Sequence, residues 1–184
     1  RVKQNIQSEL LFLERIVQLL KTNGKAAVIV PEGVLFGGNK AYVNTRQILL
    51  KDCDLEAVIS LPSGVFKPYT GVKTSILVFT KKANLSKTKW HTKKVWFYEL
   101  KSDGYSLDDN RRKLSENPLP NAVKAFDEKK ENVHNDRKSY FFIELEEIKK
   151  NEFDLSYNRY KEFEYKEQNF EPPQEILKKI KSSS

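Results

Sequence analysis

The chain has 184 residues, 32% of them charged, with a net charge of +8 at pH 7, one cysteine and no methionine. That length suits one domain with a genuine core and room for an appendage. No run approaches the ~18 apolar residues of a membrane span, no signal-peptide pattern opens the chain, and a lone Cys53 excludes an internal disulfide or a multi-cysteine zinc site and suits a reducing cytoplasm.

Without Met, and starting at Arg1, the chain reads as an internal or carboxy-terminal piece of something longer. Its charge is uneven: residues 1–101 carry 17 Lys/Arg against 7 Asp/Glu, and residues 102–184 carry 16 against 18. The basic first half points to a polyanion partner or to a lysine-rich solvated surface. The second half reads as solvated or protein-facing.

In chain order, SELLFLERIVQLLKT (8–22) spaces its apolar residues for an amphipathic helix, with Ser8 as cap and Asn23-Gly24 closing it. Three short apolar runs follow: 26–30 before Pro31, 57–61 before Pro62, and 75–79 before Thr80. They predict strands buried on both faces. Loops 31–38 and 62–74 then lie at strand ends, where open α/β sheets place ligand sites. A helix over about 39–52, capped by Asn39 and packed through Val43, Ile48 and Leu49, makes a βαβ unit with a right-handed crossover.

The connection from Leu61 to Thr74 holds two prolines and two glycines and is short for a parallel crossover. The third strand should therefore run antiparallel to the second, so that a parallel sheet ends in one reversed strand. Beyond the lysine-rich loop 83–94, VWFYEL (95–100) predicts a strand, 101–118 turns, and 119–130 a helix. SYFFIELEEIKKN (139–151) gives a strand or turn and then a short helix. PPQEILKKIK (172–181) is an amphipathic tail helix with its prolines at the start.

GVLFGGNK (33–40) separates its outer glycines as a P-loop does, but Asn39 intervenes before Lys40 and Ala41 stands where Ser or Thr is required. It reads as a glycine-rich turn giving way to a helix cap. His91 and His134 sit in charged loops with no Cys or carboxylate at ligand spacing, so no metal is expected. Cys53 reads as a small packed side chain.

PSGVFKPYTGVKTS (62–75) differs, placing Phe66 and Tyr69 among Lys67, Lys73, Thr70 and Thr74. Aromatics interleaved with cations suit a nucleic acid, because rings stack on bases while lysines neutralise phosphates. Alternatively Phe66 caps the core and Tyr69 half-covers a loop. Composition leaves both open.

Five segments, in order, carry a resemblance: LLFLERIVQLLKTNGKAAVIVPEGVLF, NTRQILLKDCDLEAVISLPSGVF, TGVKTSILVFTKK, VWFYELKSDGYSLDDNRR and EFDLSYNRYKE. Together they resemble the methyltransferase (M) subunit of type I restriction–modification systems, the DNA adenine-N6 methylases, over nearly the whole chain. The resemblance implies an α/β fold, namely the carboxy-terminal portion of a Rossmann-like S-adenosylmethionine-dependent methyltransferase sheet whose last strand is antiparallel. The three runs would be its fifth, sixth and seventh strands. Residues 1–101 would be the carboxy-terminal half of the catalytic domain and 102–184 a mostly helical extension, with 139–181 as the candidate subunit contact.

Such enzymes bind S-adenosylmethionine through a glycine-rich turn and hold the target amine with an Asn/Asp-Pro-Pro-Phe/Tyr tetrapeptide. Neither occurs here: there is no GxG, and Pro172-Pro173 follows Phe170-Glu171. The resemblance thus implies catalytic and cofactor-binding residues upstream of Arg1, and no activity for this chain alone. It also implies that Phe66 stacks on the flipped adenine, with Lys67, Tyr69, Lys73 and Thr74 as neighbouring DNA contacts.

The implied partners are double-stranded DNA, a specificity subunit, a second methylase subunit and a motor restriction subunit, in the cytoplasm and away from any membrane. Two other readings stand beside this one: a non-catalytic protein or DNA interaction module of such a complex, and a methylase of the same fold acting on RNA or protein.

Overall fold

A computed structural model describes residues 7–83, 88–129, 137 and 139–162. The first helix, α1 (Ser8–Leu19), buries Leu10, Leu13 and Val17 at the expected spacing. Its cap is Gln7 rather than Ser8, whose hydroxyl turns to the Glu9 carboxylate instead. The helix stops short of residue 22 because the Asn23 N–H is already paired with the Lys81 carbonyl, at 2.8 Å, drawing the chain into the sheet.

After β1 (Lys25–Pro31) comes a single helical turn, α2 (Gly33–Phe36), and then α3 (Lys40–Asp52). Asn39 caps α3 as expected, its side-chain oxygen accepting from the N–H groups of Ala41 and Tyr42 at 3.0 and 3.2 Å. Of the three expected packing residues only Leu49 is fully buried, and it is joined by Thr45, Arg46 and Leu50. Val43 and Ile48 are half-buried. The remaining elements are β2 (Cys53–Ser60), β3 (Thr74–Lys81), β4 (Lys94–Glu99), α4 (Leu119–Asp127), β5 (Tyr140–Glu144), α5 (Leu145–Lys150) and α6 (Tyr157–Tyr160).

The five strands form one sheet in the order β1-β3-β2-β4-β5. β3 is antiparallel to β2, as the short connection required. It does not end the sheet, however: it lies between β1 and β2 and pairs antiparallel with both. The βαβ unit therefore spans one intervening strand. β3 has hydrophobic residues throughout its centre and satisfies backbone groups on both sides, whereas β1, closing on Pro31, takes the edge, where a missing N–H is tolerated.

Burial on both faces is also corrected for β1. Its pattern alternates, and Ile29 is 51% exposed. One face of the sheet, with Val30, Leu55, Val58, Leu77, Phe79, Phe97, Phe141 and Ile143, forms the core together with α1, α3, α5 and α6. Among the described helices, α4 supplies the cover on the other face, over an apolar cleft of about 210 Å³ that includes Ile59, Ile76 and Val78. Phe126 of α4 meets Trp96 edge-on, with ring centroids 5.9 Å apart.

The sheet does not stop near residue 101. β5 pairs antiparallel with β4, setting Phe141 opposite Phe97, and Ile148, Leu155, Tyr157 and Tyr160 enter the same core. Residues 139–162 thus contribute a strand as well as helices, and their apolar side chains complete this core. Residues 163–181, with the expected tail helix, and His134 lie outside the described residues. No described helix is long and apolar enough to cross a membrane.

Candidate nucleic-acid interface

Because β1, β2 and β4 run parallel, the segments that follow them leave the same end of the sheet. Backbone hydrogen bonds tie these segments at their roots. The Glu32 N–H donates to the Lys73 carbonyl (2.9 Å), Leu61 to Thr74 (3.0 Å), and Leu100 to Ser60 (2.8 Å).

The β2–β3 loop is a series of tight turns. The Phe66 carbonyl accepts from the N–H groups of Tyr69 and Thr70, at 3.0 and 3.1 Å, and the Gly64 carbonyl from Lys67 at 3.1 Å. Phe66 itself is half-buried and does not belong to the central core cluster, so it is neither a core residue nor a free surface ring. Tyr69 is 93% exposed. Lys67 pairs with Asp109 at 3.3 Å. These three share the outer part of the loop.

Lys73 and Thr74 belong to its root. The Lys73 ammonium lies 3.0 Å from the Glu32 carboxylate, with both side chains largely shielded. Thr74 is 7% exposed and sits opposite Pro31 in the sheet. Its Oγ1 has no hydrogen-bond partner among the described residues.

Arg46 went unnoticed in the sequence because a cation in mid-helix reads as surface. It is 3% exposed, and its guanidinium donates to the carbonyls of Phe153 (2.7 Å), Val34 (3.1 Å) and Gly37 (3.0 Å). Burial lowers its pKa, while Asp154 and Tyr160 pull the other way. The signal was its spacing, three and four residues before Leu49 and Leu50, which sets it on the buried stripe. Together with the Leu155 N–H bond to the Leu35 carbonyl (2.9 Å), it ties the 31–38 segment to the FDLSY turn.

The glycines of 33–38 differ in their surroundings. A Cβ built on Gly33 or Gly38 would meet nothing within 4 Å, and one on Gly37 would strike the Tyr42 ring at 2.6 Å, so close approach there serves α2–α3 packing. Cys53 is fully buried, and burial pushes its thiol up to about 11, in keeping with a packed side chain. At the opposite end of the sheet a cleft of about 660 Å³ gathers Lys25, Lys82, Lys93 and Lys94, among other residues, with Asp54 and Glu56 offsetting part of the charge.

This arrangement of strands recurs in solved proteins. The methyltransferase subunit of a type I restriction–modification system from Streptococcus thermophilus superposes with a TM-score of 0.66 at 26% identity, over 85% of this chain and 31% of that one. The EcoKI M protein gives 0.62 at 25% identity, over 80% and 36%. In sequence, the chain is 47% identical over 90 residues to the methylase subunit of the type I restriction enzyme EcoEI of Escherichia coli, a match covering 48% of this chain and 16% of that protein. It is 40% identical over 97 residues to the EcoKI methylase subunit of E. coli strain K12, covering 52% and 18%. The matched region thus spans less than a fifth of these curated relatives. The family profile described as N-6 DNA Methylase matches residues 1–169. With most of its length matched and the strand arrangement shared, the chain belongs to the N-6 DNA methylase family.

Proposed function

We propose that this chain is part of the methylase subunit of a type I restriction–modification enzyme. The complete protein transfers a methyl group from S-adenosylmethionine to adenine N6 in double-stranded DNA. It works in the cytoplasm beside a specificity subunit, a second methylase subunit and a restriction subunit. The observation that carries the reading is the β2–β3 hairpin at the ligand end of the sheet, whose loop lifts Phe66, Lys67 and Tyr69 away from the core.

In this reading the chain binds rather than reacts. The sequence has neither a GxG turn nor the amine-binding tetrapeptide, which supports assigning no step of the transfer to this chain. Phe66 supplies a ring face to the extruded base, which has lost its stacking neighbours. Lys67 keeps Asp109 at 3.3 Å and turns its remaining N–H donors toward a phosphate. Tyr69 adds a second aromatic surface. Lys73, held by Glu32, supports the loop rather than touching DNA.

Stacking of a base on an aromatic ring contributes about 1–3 kcal/mol. Phe66→Ala in the complete enzyme should therefore slow methylation about tenfold while leaving its thermal unfolding unchanged. A wild-type rate would assign Phe66 to packing and remove the reading. The chain alone should transfer no labelled methyl group to DNA, and transfer by it would contradict the proposed division of labour.

A further inference from the structure

We propose that residues 102–113 form a strut that sets the position of the Phe66 loop, with Arg111 as its positioning residue. This rests on Phe66 being the base-stacking side chain. The segment contains no helix and, apart from one isolated bridge between Tyr105 and Lys113, no strand, yet its own polar groups bond it to itself. The Asp108 carboxylate accepts from the N–H groups of Asn110 and Arg111 and from the Ser106 hydroxyl, at 2.9, 3.2 and 3.1 Å. The Ser106 N–H reaches the Arg112 carbonyl, and the Arg112 N–H returns to the Ser106 hydroxyl, both at 2.8 Å.

Arg111 closes this structure. Its guanidinium pairs with the Asp103 carboxylate and donates to the Ser106 carbonyl at 2.9 Å, and it lies 5.5 Å from the centre of the Tyr105 ring. The Arg111 and Asp103 side chains are only 18% and 15% exposed in a segment that is otherwise largely open to solvent. Arg111 also adopts φ 49, a left-handed backbone that is uncommon for a residue other than glycine.

The strut touches the hairpin loop on either side of Phe66. Gly64 has φ +90, and a Cβ there would lie 2.7 Å from the Leu107 carbonyl oxygen, so the two backbones are in direct contact. Asp109 reaches Lys67 at 3.3 Å. A shift of the strut therefore displaces Phe66 through its neighbours at −2 and +1. Direct DNA binding explains the segment less well: 101–117 has four cations and four carboxylates, and Asp108 and Asp109 are exposed. Its role is geometric, and a misplacement of about 1 Å is enough to cost up to 100-fold in rate.

The test uses the complete enzyme and a duplex with 2-aminopurine at the target adenine. Arg111→Ala should lower the single-turnover methylation rate about tenfold and abolish most of the fluorescence rise on base extrusion. Affinities for cofactor and for DNA should stay within twofold, and Arg111→Lys should recover part of both losses. Asp109→Arg removes no buried group and sets a cation against Lys67; it should slow the same step at least threefold, and it decides the matter if Arg111→Ala fails to fold. Unchanged rate and fluorescence in these variants, or loss of DNA affinity alone, would overturn the strut. Were Phe66→Ala to lose both signals while the strut variants kept them, the strut alone would fall; were Phe66→Ala silent, the stacking reading itself would fail.

Discussion

At the scale of single residues, Arg46 shows how one buried cation can organise two distant loops. It satisfies carbonyls on α2, on the residue after α2, and on the turn before α6. Truncation would leave these acceptors without their donor, at about 1–3 kcal/mol for each one left unpaired in the interior. We expect Arg46→Leu to lower stability by about 2–4 kcal/mol in urea unfolding, with the slope unchanged. Cys53 provides a pH readout. With its thiol pushed up to about 11, roughly one molecule in a thousand carries a thiolate at pH 8, so alkylation of the native chain should be slow and become fast on unfolding. The neutral buried thiol contributes its full stability below the unfolded value of about 8.5 and loses it as pH rises toward 11. The packed Cys53 was legible from its type and position; Arg46 was not, because only its distant carbonyl partners explain a charge on the buried stripe.

At the scale of elements, local chemistry and non-local pairing divide what could be read from the chain. The Asn39 cap was legible because its bonds reach only two and three residues ahead. Asn39→Ala should cost about 1 kcal/mol, measurable by thermal unfolding. The reversal of β3 was legible from the length of 61–73, but its place between β1 and β2 depends on pairings that the loop does not encode. β1 is the consequence: among the described residues nothing pairs with its outer edge, and Ile29 stands exposed beside it. Such an edge invites pairing with another chain. Ile29→Lys should reduce concentration-dependent association in sedimentation velocity, while changing the unfolding midpoint little. The loop 62–74 was marked as a site from its residue types, whereas its buttress at 102–113 was invisible until Gly64 and Leu107 were seen in contact.

At the scale of the molecule, the core is closed by its late residues. Phe141, Ile143, Ile148, Leu155, Tyr157 and Tyr160 are all buried against the sheet built by the first hundred residues. At about 1.5–3 kcal/mol for each large apolar side chain, their loss is of the same size as the usual ~5–15 kcal/mol of net stability. A chain ending at residue 101 should therefore lack cooperative urea unfolding and near-ultraviolet circular dichroism, while one ending at 162 should keep both. The composition shift near 101, from basic to acidic, marks a change of surface, which need not coincide with a change of core.

The position of β3 also carries a consequence for how the molecule assembles. Its pairing with β2 closes over residues 61–73, whereas its pairing with β1 must close over 32–73, and β4 with β5 over 100–139. Shorter closures sacrifice less chain entropy, so the hairpin that holds Phe66 is the first long-range structure the chain can form cheaply. Leu77→Ala should slow refolding, and Phe141→Ala should chiefly hasten unfolding, in stopped-flow chevrons. The part of the sheet proposed to meet DNA would then be the nucleus from which the rest is laid down.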